Sequence, residues 1–128
     1  MIASGIVNEE HLTVTAADTA VAFGSGTLPV LATPRVLLLV EKTALDSVAP
    51  FLAPGDATVG TLAELKHTSA SPVGSAVVCR TELVEVDRAR LRFTFTVTDT
   101  QGEIAAGIHE RFVVHGEKFM ARAQAKLV

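Results

Sequence analysis

Leu31-Ala32-Thr33-Pro34-Arg35-Val36-Leu37-Leu38-Leu39-Val40-Glu41 opens with a helix start and runs at once into unbroken apolar sequence. A hydroxyl at Thr33 suits the cap position, where it accepts from an orphan backbone N–H, and proline suits the first helical position because it has no N–H to satisfy. The run Val36–Val40 puts apolar side chains on every side of the first turns. A helix of that kind is expected to be covered by protein all round rather than laid on a surface. Glu41 interrupts the run, and a carboxylate in such surroundings must be paired, neutralised or used.

On the C-terminal side, Pro50 and Pro54-Gly55-Asp56 stop the helix near Val48 and turn the chain. Beyond them the period changes from helix to sheet. In Thr58–Thr68, Val59, Thr61, Ala63, Leu65 and His67 fall on one face, with Gly60, Leu62, Glu64 and Lys66 on the other. Ser75–Val86 reads as a long strand and Asp87-Arg88-Ala89 as a tight turn. Arg90–Thr98 alternates Leu91, Phe93, Phe95 and Val97 against polar residues, and Asp99-Thr100-Gln101-Gly102 signals a hairpin into Ile104–Val114. A strand or helical tail is expected over Lys118–Lys126. On the N-terminal side, Glu9–Val14 reads as a strand and Asp18–Phe23 as a short extended piece, ended by Gly24-Ser25-Gly26-Thr27. One buried helix followed by a meander of strands implies an α+β fold with the sheet curved around the helix. The sheet cannot cover its own edge or the whole helix, so two copies are expected to pair.

At 128 residues the chain is expected to form one domain, residues 1–128, long enough to bury a core. Eleven Lys and Arg against fourteen Asp and Glu, spread along the sequence, leave no basic footprint for nucleic acid. The single cysteine, Cys79, excludes an intrachain disulfide framework and fits a reducing compartment. The first residues lack the basic and apolar regions of a signal peptide, and no apolar run is long enough to span a bilayer, so a cytoplasmic location without membrane partners is expected.

Three residues carry most of the potential for chemistry. Glu41 is either a helix carboxylate paired with a cation or a base or nucleophile tuned by a partly apolar cleft. His67 closes its strand before a loop, a boundary that aims an imidazole while leaving an opening, although strand-end histidines also serve structure alone. Thr33 is a cap or a hydroxyl that holds a reacting group. His109 and Arg111 share a face of the last strand with Glu110 opposite, which points first to local ion pairing and second to Arg111 orienting a carboxylate. Cys79 has no histidine near it in sequence. His11, His109 and His115 have no metal-ligand spacing. No glycine pattern forms a phosphate loop or dinucleotide fingerprint, so neither metal nor nucleotide cofactor is implied, and there is no Gly-x-Ser-x-Gly elbow.

Together Val30-Leu31-Ala32-Thr33, Val40-Glu41-Lys42-Thr43-Ala44, Leu52-Ala53-Pro54-Gly55, Val59-Gly60-Thr61, His67-Thr68-Ser69-Ala70-Ser71-Pro72-Val73-Gly74, Gly107-Ile108-His109-Glu110-Arg111 and Glu117-Lys118-Phe119 resemble the fluoroacetyl-CoA thioesterase-like branch of the hot-dog superfamily. The likeness covers roughly residues 29–126 and keeps order and spacing throughout. It implies a helix wrapped by an antiparallel sheet, a homodimer or dimer-based oligomer with one continuous sheet and active sites at the subunit interface, and hydrolysis of an acyl-CoA substrate. It further implies that Thr33, Glu41 and His67 form the catalytic constellation. Gly60 would help position the substrate carbonyl and Arg111 would support it. Where the fluoroacetate-specific member carries aromatic lid residues before the helix, Gly24 and Thr27 stand here, so the resemblance carries the chemistry rather than the fluoroacetyl preference. A non-catalytic acyl-CoA or small-ligand binding module on the same fold is the alternative. A dehydratase is disfavoured because the helix supplies Glu41 and no histidine.

Overall fold

A computed structural model of the chain describes residues 2–127. The order is β1 (Val7–Thr13), a 3₁₀ turn (Ala16–Asp18), α1 (Ala20–Phe23), α2 (Thr33–Val48), β2 (Asp56–His67), β3 (Ala76–Asp87), β4 (Arg90–Asp99), β5 (Gly102–His115) and α3 (Gly116–Gln124). All strand pairs are antiparallel, in the spatial order β1-β3-β4-β5-β2, which leaves β1 and β2 as the two edges. The chain therefore has the expected α+β arrangement, a sheet curved around one long helix.

Leu91, Phe93, Phe95 and Val97 of β4 are buried on the helix side of the sheet, as their alternation requires. Against them α2 lays Val36, Leu39, Val40, Thr43, Ala44, Ser47 and Val48, the three- and four-residue spacing of a single helix face. Cys79 sits fully buried in this core, where burial pushes its thiol up to about 11. It is a packing residue, not a nucleophile.

Two expectations about packing need correcting. The helix is not covered all round: Leu38 is 51% exposed and Leu37 half-buried, because the sheet reaches only one face of α2. Asp18–Phe23 is also helical rather than extended except at Thr19, which links the 3₁₀ turn to α1 in an extended conformation. The Thr15 amide and hydroxyl both donate to Asp18 Oδ2, at 2.8 and 2.9 Å, and the Ala22 amide donates to Thr19 Oγ1 at 3.3 Å. These local side-chain bonds fix turns that hydrophobic alternation does not reveal. Arg35 Nε then donates to Asp18 Oδ1 at 2.9 Å, tying this segment to the first turn of α2.

The third correction bears on the site. The β2–β5 register passes from Gly60 opposite Arg111 to Leu62 opposite Glu110, leaving Thr61 as a bulge. Beyond the bulge Ala63, Leu65 and His67 lie opposite His109, Gly107 and Ala105 on the helix side, as expected. Before it the faces exchange, so Thr58 and Gly60, not Val59, look toward the helix. One inserted residue moves every side chain beyond it to the other face. Gly60 and His67, of opposite parity in the sequence, thereby end on the same side of the sheet.

Candidate active site

The first cluster lies at the start of α2. Ala32, with extended backbone angles, occupies the cap position and makes no side-chain cap bond, so Thr33 is already the first helical residue. Its hydroxyl is not used on the backbone, contrary to the capping expectation. Instead Thr33 Oγ1 and His67 Nδ1 share a hydrogen bond of 2.8 Å. His67 Nε2 is buried and completes no hydrogen bond among the described residues. Burial pushes the His67 pKa below its ordinary value, with the Ser69 main chain opposing only in part, so the imidazole is neutral at pH 7. Both residues line an open pocket of about 310 Å³ with Ala20, Ser25, Val30 and Ala70.

The second cluster lies two turns further along α2. Glu41 has a side chain 41% exposed, and its Oε2 stands 3.7 Å from Nη1 of Arg111, an ion pair without a direct hydrogen bond. Arg111 is only 5% exposed and is held hard from behind. Its Nε donates to Thr58 Oγ1 at 2.9 Å, its Nη2 to the Thr58 carbonyl at 3.0 Å and its Nη1 to His109 Nε2 at 3.2 Å. Gly60 lies against the same carboxylate: a Cβ there would stand 2.8 Å from Glu41 Oε2. Glu41, Gly60, Thr61, Leu62, Ala63 and His109 line a second open pocket, of about 220 Å³.

Thr33 and Glu41 are eight residues apart on one helix, which at a rise of about 1.5 Å per residue separates them by about 12 Å along its axis. One chain therefore brings Thr33 to His67, and Glu41 to Gly60 and Arg111, but does not join the two sets. Among the described residues no group of His, Cys, Asp and Glu side chains is arranged to hold a metal ion.

The family model for fluoroacetyl-CoA-specific thioesterase matches residues 14–117. The chain belongs to that family. It is 38% identical to the fluoroacetyl-CoA thioesterase of Streptantibioticus cattleyicolor over 97 residues, 76% of this chain and 70% of the relative. A solved structure of the fluoroacetyl-CoA thioesterase FlK superposes with a TM-score of 0.93 at 30% identity, covering 98% of both chains. A hot-dog-like protein from Thermanaerovibrio acidaminovorans superposes at 0.91 with 20% identity, over 98% of this chain and 93% of the other. The hot-dog fold and the family implied by the sequence motifs are both borne out.

Within this thioesterase family member, His109 is the residue that reading from sequence undervalued. It is 1% exposed and stacks on Phe93 at 6.1 Å between ring centroids. The available signal was its two-residue spacing from Arg111 on one strand face, which fixes a shared side of the sheet but not which partners each group finds. Glu110, on the opposite face, takes hydrogen bonds from Arg90 Nη1 at 2.7 Å and Arg92 Nη1 at 2.6 Å, and so belongs to the sheet's outer surface rather than to the site. Chemically, the two clusters hold a solvent-accessible carboxylate beside a fixed cation and a neutral imidazole oriented by a hydroxyl.

Proposed function

We propose that the chain is an acyl-CoA thioesterase acting in the cytoplasm as a homodimer, hydrolysing a small acyl thioester to the free acid and thiol. Family membership supports the reaction class, and the name of the Streptantibioticus relative supports CoA as the thiol carrier. The observation that carries the residue assignment is His67, whose Nδ1 is taken by Thr33 while its buried Nε2 has no partner among the described residues. A buried imidazole nitrogen left unmatched costs free energy, about 1–3 kcal/mol, so a group from outside the chain is needed to answer it.

The missing half comes from a second copy. β2 is a free edge, and Glu41 of α2 stands against its Gly60. Antiparallel pairing of two β2 edges about an axis between Ala63 and Glu64 sets Gly60 of one protomer across from His67 of the other. Glu41 of one protomer then works with Thr33 and His67 of its partner. Glu41 either takes a proton from water as that water adds to the carbonyl carbon, or adds directly and is released by water. Gly60, with no side chain to shield its backbone, positions the carbonyl oxygen, and Arg111 aims the Glu41 carboxylate. As the carbon–sulfur bond breaks, the electron pair goes to sulfur, and His67 relays the proton to the departing thiolate. Thiolates leave readily, so this modest machinery suffices.

Mixing two inactive variants tests the shared site. E41Q and H67A homodimers are each expected to lose thiol release from a panel of acetyl-, fluoroacetyl- and butyryl-CoA. Co-refolding them gives heterodimers with one intact site and one doubly defective site, restoring up to about a quarter of parental activity on statistical exchange. No restoration in verified heterodimers overturns the shared site. Binding of the acyl-CoAs without thiol release by the parent protein overturns catalysis in favour of a binding module.

A further inference from the structure

His109 sits between the two features that define the Glu41 pocket. Its Nδ1 lies 2.8 Å from the Leu62 carbonyl and its Nε2 3.2 Å from Arg111 Nη1. A carbonyl only accepts and a guanidinium only donates, so the tautomer is fixed: Nδ1 carries the hydrogen and Nε2 the lone pair. The ring is locked in this role by Phe93 behind it and by a burial that leaves it 1% exposed. Burial, with the Arg111 charge adding to it, pushes its pKa below the ordinary value, against the main-chain bond to Leu62 and the nearby carboxylates.

Each bond reaches a different wall of the pocket. Leu62 is the first residue to resume pairing with β5 after the Thr61 bulge, so the Nδ1 bond pins the backbone that carries Gly60 over the Glu41 carboxylate. The Nε2 bond fixes Nη1, the arm of Arg111 nearest to Glu41. We propose that His109 is a positioning residue, clamping the β2 bulge and the Arg111 guanidinium to each other so that Glu41 and the Gly60 backbone keep a fixed separation. The proposal rests on Glu41 being the catalytic carboxylate. Sub-ångström placement of reacting groups matters at this scale, a 1 Å error costing about a hundredfold in rate.

Two substitutions separate the two bonds. Asn places its amide nitrogen near the Nδ1 position, so H109N keeps the anchor to Leu62 and loses the acceptor for Arg111. Gln places its amide oxygen near Nε2, so H109Q keeps that acceptor. With the acyl-CoA that the parent protein hydrolyses fastest, kcat of H109N is expected to fall about a hundredfold with KM within about threefold, while H109Q recovers to within about fivefold of the parent. H109M, which fills the space against Phe93 and offers no comparable acceptor, replaces H109N should that variant not fold. Folded H109N or H109M with parental kcat overturns the proposal, as does an H109Q no better than H109N. Assaying E41Q alongside keeps the two readings apart: parental turnover in E41Q overturns the role of Glu41 itself, whatever His109 does.

Discussion

At the start of α2 a single 2.8 Å hydrogen bond between neutral groups, Thr33 and His67, stands at the mouth of an open pocket; two turns on, Glu41 faces a buried guanidinium that is itself held by Thr58 and His109. The contrast follows from where each cluster meets the sheet. Glu41 looks across the Thr61 bulge onto β5, where Arg111 and His109 are buried and their side-chain nitrogens find partners among the described residues. His67 is the last residue of an edge strand and has a buried nitrogen without a partner among the described residues. The carboxylate end is thus tied to its neighbours by several contacts and the imidazole end by one. This difference predicts unequal responses to substitution.

The largest effect is expected at Glu41. E41Q keeps the shape of the side chain but removes its charge and its capacity to accept a proton or add to a carbonyl, so on the proposed role of Glu41 kcat should fall by about a thousandfold or more in acyl-CoA thiol-release assays. Stability should change little, since Arg111 keeps its bonds to Thr58 and His109. A loss comparable to that of a Thr33 variant would erase the asymmetry between the two ends. T33V is the matched change at the other end. It removes one hydrogen bond of a neutral pair, about 1 kcal/mol, and so about fivefold in kcat, with thermal melting little changed because the threonine is exposed and caps nothing. A fall in melting temperature without a fall in kcat would return Thr33 to a purely structural role.

These positions also mark how far the sequence can be read. Leu91, Phe93, Phe95 and Val97 alternate without interruption, and β4 follows them residue for residue because it is an inner strand with one face in the core. β2 cannot be read that way. Parity places Gly60 and His67 on opposite faces, and only the bulge, which leaves no mark in the alternation, reunites them. At Thr33 the Thr-Pro pair located the helix to within one residue, yet the cap fell on Ala32 and freed the hydroxyl for His67. The apolar run Val36–Val40 gave the helix but overstated its cover, since composition does not say how far a sheet curls. His109 was visible as a neighbour of Arg111 in alternation. Its bond to Leu62 links residues 47 apart, and no local pattern encodes it.

The smallest effect is expected at the tether that roofs the Thr33 end. Asp18 is buried, which by itself raises its pKa, but the Thr15 amide, the Thr15 hydroxyl and Arg35 outweigh that and hold the carboxyl below its ordinary value of 3.8. A depressed carboxyl stabilises the folded state above its unfolded pKa, and that contribution is lost as pH falls through the folded value. D18N should therefore lower stability by about 1 kcal/mol at pH 7, and the difference from the parent should shrink as pH drops below 3.8 toward the folded value. Denaturant melts of both proteins across that range measure it. The carboxylate end has no comparable acid-sensitive tether to α1, so thiol release by D18N should show a raised KM rather than a lowered kcat, the pocket beside Thr33 losing its roof while the aim of Glu41 is kept. A gap between the two melts that stays constant with pH would show that Asp18 acts through packing, and a fall in kcat would show that the two ends of the helix are not independent.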